Sequence, residues 1–160
     1  MGLRLKNQDL GECFFITTSF KDHNLWGNMP GVYEILVKAI AFQLVETQSK
    51  LVAYVLMPSH LHAILFINGK SLSNFIRDFK KYASQKALFD ICGTQKFWQQ
   101  RYDRQVIISD KVLSTKINYI HQNPVKAGLV KEPQDWKWSS AGDYLRGSKG
   151  PLDVWMEWNS

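Results

Sequence analysis

Apolar and polar positions along the chain alternate between two kinds of pattern. Cys13 to Phe20 (CFFITTSF) is a β-branched and aromatic run of strand length, preceded by a polar lead-in over Met1 to Glu12. Lys21 to Gly31 collects Asp22, Asn24, Gly27, Asn28, Pro30 and Gly31, residues that turn a chain. Val32, Ile35, Leu36, Ala39 and Ile40 then recur at the spacing of one helical face, which predicts a helix from Val32 to about Gln48. Leu51 to Met57 and Leu61 to Ile67 are apolar runs parted only by Pro58, Ser59 and His60, so they predict neighbouring antiparallel strands. A second helix follows, capped by Ser71 or Ser73, with Leu72, Phe75, Ile76, Phe79, Ala83 and Ala87 as its buried face and an end near Gly93. Lys96 to Ile108 is mixed in character, but its end, Arg104 to Ile108, reads as a fourth strand. Ser109 or Asp110 starts a third helix, which is predicted to stop before Pro124, with Gly128 closing the turn. The order strand, helix, two strands, helix, strand, helix predicts an α+β fold of the ferredoxin-like kind, an antiparallel sheet with helices packed on it.

The 160 residues suit one domain over 1–160, with neither repeat nor linker. Its tail, 131–160, holds four of the six tryptophans (Trp136, Trp138, Trp155, Trp158) and is expected to pack back on the domain. No apolar run reaches the roughly 18 residues a membrane span needs, and the start lacks a signal-peptide pattern, so a cytoplasmic protein with no membrane partner is expected. Cys13 and Cys92 are too few for a disulfide framework and sit in no zinc-finger spacing, which fits reduced thiols. A net charge of +6 favours a polyanionic partner, nucleic acid first.

Candidate chemistry gathers at His60-Leu61-His62. In a strand, residues i and i+2 share a face about 6.6 Å apart, so two imidazoles can converge on one ion while Leu61 points into the core. Two half-exposed histidines at a strand edge are the plain alternative. On the third helix Leu113, Ile117 and Ile120 define the buried face, which sets Tyr119 and Asn123 together on one flank, about 40° apart. Gln122 points away from the core and His121 falls on the other flank. A phenol and an amide oxygen brought over two histidines would supply a nucleophile and a third metal ligand; otherwise Tyr119 packs and Asn123 caps the turn. The second helix carries Arg77, Lys80 and Lys81 away from its apolar stripe, with Tyr82 close by. Arg101, Tyr102 and Arg104 form another basic and aromatic cluster. Such faces can hold a phosphate backbone and stack an unpaired base, or are simply solvated.

VLMPSHLHAILF (Val55 to Phe66), FKKYASQK (Phe79 to Lys86), YIHQNPVKAGLV (Tyr119 to Val130) and WKWSSAGDY (Trp136 to Tyr144), in that order, resemble the REP-associated tyrosine transposases. These are relatives of the single-strand transposases of small insertion sequences and share the HUH nuclease fold. The resemblance covers most of the chain. It implies that Tyr119 is the nucleophile, that His60 and His62 hold Mg²⁺ or Mn²⁺, and that the reaction yields a 5′-phosphotyrosine and a free 3′-hydroxyl. In the insertion-sequence relatives a glutamine completes the metal site where this chain has Asn123, a methylene shorter, so the helix must sit closer or a water must intervene. CFFITTSF also lacks the histidine often found in the family's first strand. The implied partner is single-stranded DNA bearing a palindromic hairpin. Arg77, Lys80, Lys81, Tyr82, Arg101 and Arg104 are the expected DNA contacts, with Arg77, Lys80 and Lys81 flanking the metal and tyrosine site. The resemblance favours a monomer over a homodimer. His121 is a candidate base for the tyrosine, although its flank argues against it. A hairpin-binding protein that no longer cuts, and an RNA-binding domain that stacks bases on Phe14 and Phe15, are the competing readings.

Overall fold

The computed structural model describes residues 12–85, 89–94 and 96–159. Most of the polar lead-in, and Ala87 of the predicted helical face, lie outside the described residues. Strand β1 (Glu12–Ser19) is followed by α1 (Val32–Glu46), β2 (Lys50–Leu56), β3 (His60–Ile67), α2 (Leu72–Ala83), the short α3 (Phe89–Cys92), β4 (Asp103–Val106), α4 (Asp110–Lys126) and the short α5 (Ala141–Leu145). The sheet is antiparallel with strand order β2-β3-β1-β4, the ferredoxin-like arrangement that the order of elements predicted.

Strand alternation divides the core in two. Phe14, Ile16, Leu61, Ala63, Leu65 and Ile67 point to one face, where Leu36, Ala39 and Ile40 of α1 and Leu72, Phe75, Ile76 and Phe79 of α2 cover them. Cys13, Phe15, Ile64 and Phe66 point to the other, where Leu113, Ile117 and Ile120 of α4 pack. Because β1 and β3 pair with Thr17 opposite His62 and Ser19 opposite His60, both histidines belong to the α4 face.

The end of α4 differs from expectation: the helix continues through Pro124 to Lys126. Proline here gives up the bond to the Ile120 carbonyl and crowds it, a cost confined to the last turn of the helix. The Pro124 carbonyl accepts from Leu129 N at 2.9 Å while Val125 O accepts from Gly128 N at 3.0 Å, a Schellman closure that uses Gly128 at φ 75°. At the other end Ser109 provides the cap, its Oγ accepting from Val112 N at 3.1 Å. The second predicted helix is α-helical over Leu72–Ala83, passes into π geometry at Ser84 and Gln85, and is helical again over Phe89–Cys92. Ser71 occupies the N-cap of α2 without a side-chain cap bond.

Residues 136–155 lie along the outer edge of β2. Leu56 N donates to Trp138 O at 2.8 Å, Ser140 N donates to Tyr54 O at 3.0 Å, and Trp155 N donates to Leu51 O at 2.8 Å. Tyr144 Oη donates to Val52 O at 2.7 Å, and Trp136 Nε1 to Leu56 O at 2.9 Å. Among the described residues no helix is long and apolar enough to cross a membrane.

Candidate active site

His60 and His62 leave β3 on the α4 face with ring centroids 4.8 Å apart. Both imidazoles spend the same nitrogen on a neighbouring hydroxyl: His62 Nδ1 is 2.7 Å from Thr17 Oγ1, and His60 Nδ1 is 3.0 Å from Ser59 Oγ. When Nε2 coordinates, Nδ1 carries the hydrogen and donates it to that hydroxyl, which fixes the ring and raises its basicity. His62 is 5% exposed, and Phe15 stacks on it at 5.4 Å with the planes 22° apart. Burial pushes the His62 pKa down to about 3, with His60 and Lys116 acting in the same direction. Burial, and then the charge of His23, holds His60 below the ordinary imidazole range. Neutral imidazoles at pH 7 are the form that binds metal.

Tyr119 projects from α4 beside His62. Its ring is 5.4 Å from that of His62 and 6.0 Å from that of Phe15, edge-on to both, and the residue is 42% exposed. The phenol is thus positioned by aromatic contact while remaining open to a substrate. Asn123 lies one turn further along the same helical flank and is half-buried. Among the described residues no set of three His, Cys, Asp or Glu side chains could hold a metal ion; the candidate set is two imidazoles and an amide. A pair of neutral, hydroxyl-oriented imidazoles fits a divalent cation.

His121 is not available as a base for Tyr119. It is 4% exposed, its Nε2 lies 2.8 Å from Ser140 Oγ, and its ring packs on Tyr144 at 5.1 Å. The other flank of α4, where periodicity put it, is the one that faces the tail.

The expected DNA contacts divide. Arg77, Lys80, Lys81 and Tyr82 belong to α2, which covers the sheet face opposite the histidines, so Arg77, Lys80 and Lys81 do not flank the tyrosine site. Helical periodicity identifies the buried side of α2, but which sheet face receives it depends on long-range packing. Arg77 pairs with Asp78 at 2.9 Å. Lys80 Nζ donates to Gln99 O at 3.0 Å and lies over the rings of Trp98 and Tyr102. Tyr82 stacks on Phe42 with ring centroids 5.8 Å apart. Arg104 pairs with Ile16 across β1 and β4, so its guanidinium lies over Phe14 on the same far face. Arg101 is nearer the site, in the lining of a cavity of about 440 Å³ that also includes Thr17, Ser19 and His23.

Four residues at the site were not assigned to it from the sequence. Phe15 and Thr17 reach His62 only through strand pairing. Lys116 and Lys126 bracket the phenol, with Nζ 5.7 Å and 6.0 Å from the Tyr119 ring centroid. Their signal was present as the spacing Lys116, Tyr119, Asn123, Lys126, a single helical stripe.

A ferredoxin-like sheet that sets a solvent-open phenol and two neutral imidazoles among cations defines a site suited to nucleophilic chemistry on an anion. The model of the family described as "Transposase IS200 like" matches residues 19–123. A REP-associated tyrosine transposase of Escherichia coli K12 is 30% identical over 123 residues, covering 76% of this chain and 72% of the relative. A solved structure of a REP-associated tyrosine transposase bound to a REP hairpin superposes with a TM-score of 0.72 at 27% identity, covering 91% of this chain and 86% of that one. The chain belongs to the IS200-like transposase family, and its similarity to these relatives makes it a REP-associated tyrosine transposase by class.

Proposed function

We propose that this protein cuts and rejoins single-stranded DNA beside hairpin-forming repeats, with Tyr119 as the nucleophile and His60, His62 and Asn123 as the holders of a Mg²⁺ or Mn²⁺ ion. The observation that carries the reading is the placement of an exposed tyrosine 5.4 Å from a buried imidazole whose Nδ1 is already engaged by Thr17. The hairpin bound in the solved relative supports the substrate class. When bound, a divalent ion supplies positive charge that polarises the scissile phosphate.

The chain's own residues do the rest. Thr17 and Ser59 hold the two imidazoles in the tautomer that presents Nε2. Phe15 fixes the approach of Tyr119 edge-on, so the phenol oxygen is delivered rather than searching. Attack forms the bond from Tyr119 Oη to phosphorus and breaks the bond to the 3′-oxygen. The covalent link conserves the phosphodiester, so a 3′-hydroxyl can attack it in turn and join strands without a nucleotide cofactor. Both imidazoles and the tyrosine meet within one chain, which supports action as a monomer. Of the basic candidates, Arg101 is the one placed to meet the strand near the site.

The test is direct. A hairpin-bearing oligonucleotide with a single-stranded flank, incubated with Mg²⁺ or Mn²⁺, should give a covalent protein–DNA adduct on a denaturing gel, and Tyr119→Phe should give none. Hairpin binding without any adduct from the wild type would instead support a binder that no longer cuts.

A further inference from the structure

Lys116, Tyr119, Asn123 and Lys126 recur at intervals of three, four and three residues, so all four side chains leave α4 on one side. The half-buried Lys116 has its Nζ 4.8 Å from the centroid of the Phe15 ring and 5.7 Å from that of Tyr119. Phe15 in turn stacks on His62. The Lys116 ammonium therefore sits on the side of the phenol that faces the imidazoles, whereas Lys126 is exposed and lies beyond Asn123. Neither lysine enters an ion pair among the described residues. Aromatic rings offset only part of an ammonium's charge. A cation held beside a nucleophile with no carboxylate opposite it is a seat for an anion.

We propose that Lys116 is a further catalytic residue, its ammonium holding a non-bridging oxygen of the phosphate that Tyr119 attacks. This rests on the functional proposal above. As the bond from Tyr119 Oη to phosphorus forms and the bond to the 3′-oxygen breaks, the phenol proton passes to water. The departing 3′-oxygen keeps the bonding electron pair and takes a proton from water. Lys116 exchanges no proton in this step. Negative charge grows on the non-bridging oxygens at the transition state, and a fixed cation in a partly dry site is worth most there. Rings pressed against its side chain keep the ammonium in place before the strand arrives.

Full-chain Lys116→Ala, Lys116→Arg and Lys111→Ala are compared on the hairpin oligonucleotide, Lys111 being an exposed α4 lysine that controls for lost charge. At saturating DNA the adduct should form about 100-fold more slowly in Lys116→Ala. Lys116→Arg should recover to within about 10-fold of the wild type. In a Tyr119→Phe background, where nothing is cut, removing Lys116 should lower the slope of log affinity against log salt by about 0.7, the share of one single-strand phosphate contact. Lys111→Ala should change neither reading. The inference is overturned by a Lys116→Ala rate within about 3-fold of the wild type, by arginine as slow as alanine, or by an unchanged salt slope. The salt slope needs no cleavage, so a wild type that forms no adduct defeats the functional proposal separately.

Discussion

Thr17 has no reactive chemistry to offer, yet it decides how His62 presents itself. Its hydroxyl occupies Nδ1 at 2.7 Å, which leaves Nε2 for an ion. Thr17→Val keeps the shape and removes that partner. Partners of this kind contribute about 10- to 100-fold to metal affinity, so calorimetric titration with Mn²⁺ should show weakening of that order with little change in thermal stability. Affinity equal to the wild type would mean that Thr17 only packs. The residues that do chemistry were legible because their spacing is local: His60 and His62 share a strand face, and Tyr119 and Asn123 share a helical flank. Thr17 and Phe15 were not, because they sit more than forty positions from His62 and meet it only when β1 pairs with β3.

At the level of elements, α4 is the part whose placement matters most, since it carries the phenol to the sheet. Its start is held by one hydroxyl, and Ser109→Ala should lower stability by about 1 kcal/mol in urea unfolding. A loss near zero would show the cap to be dispensable. Pro124 misled the sequence reading because proline's usual message is "stop". Three residues short of a C-cap it instead lends its carbonyl to the closure, and Gly128 supplies the left-handed step that L side chains rarely take. β1, β2, β3 and the apolar faces of α1, α2 and α4 were readable from the pattern of apolar positions, whereas β4, expected over Arg104 to Ile108, runs over Asp103–Val106 with no buried side chain to mark it. What periodicity could not say was that α2 and α4 lie on opposite faces, and so the basic side of α2 was wrongly set beside the tyrosine.

Across the whole molecule, buried neutral imidazoles tie stability to acidity. His121, 4% exposed, has its pKa pushed down by burial from 6.5 to about 4. Its folded value is below its unfolded one, so the unfolded chain binds more protons in between. The stabilising contribution is therefore complete above about pH 6.5 and is lost as the pH falls through 4. In metal-free buffer, about 2 kcal/mol should disappear between pH 7 and pH 5 on account of His121, and the urea midpoint of His121→Asn should vary less over that interval. Identical slopes in the two proteins would place the acid sensitivity elsewhere, with His62 the next group to test.

The segment along the outer edge of β2 has a consequence for biosynthesis. The hydrogen bonds that Leu51, Val52, Tyr54 and Leu56 make there all go to residues 136–155. A nascent chain emerging from the ribosome presents β1 to α4 first, with the histidine pair and the tyrosine already able to meet. The β2 edge is then still an open row of backbone donors and acceptors, a template for another chain. The elements that build the site therefore leave the ribosome before the segment that protects the sheet.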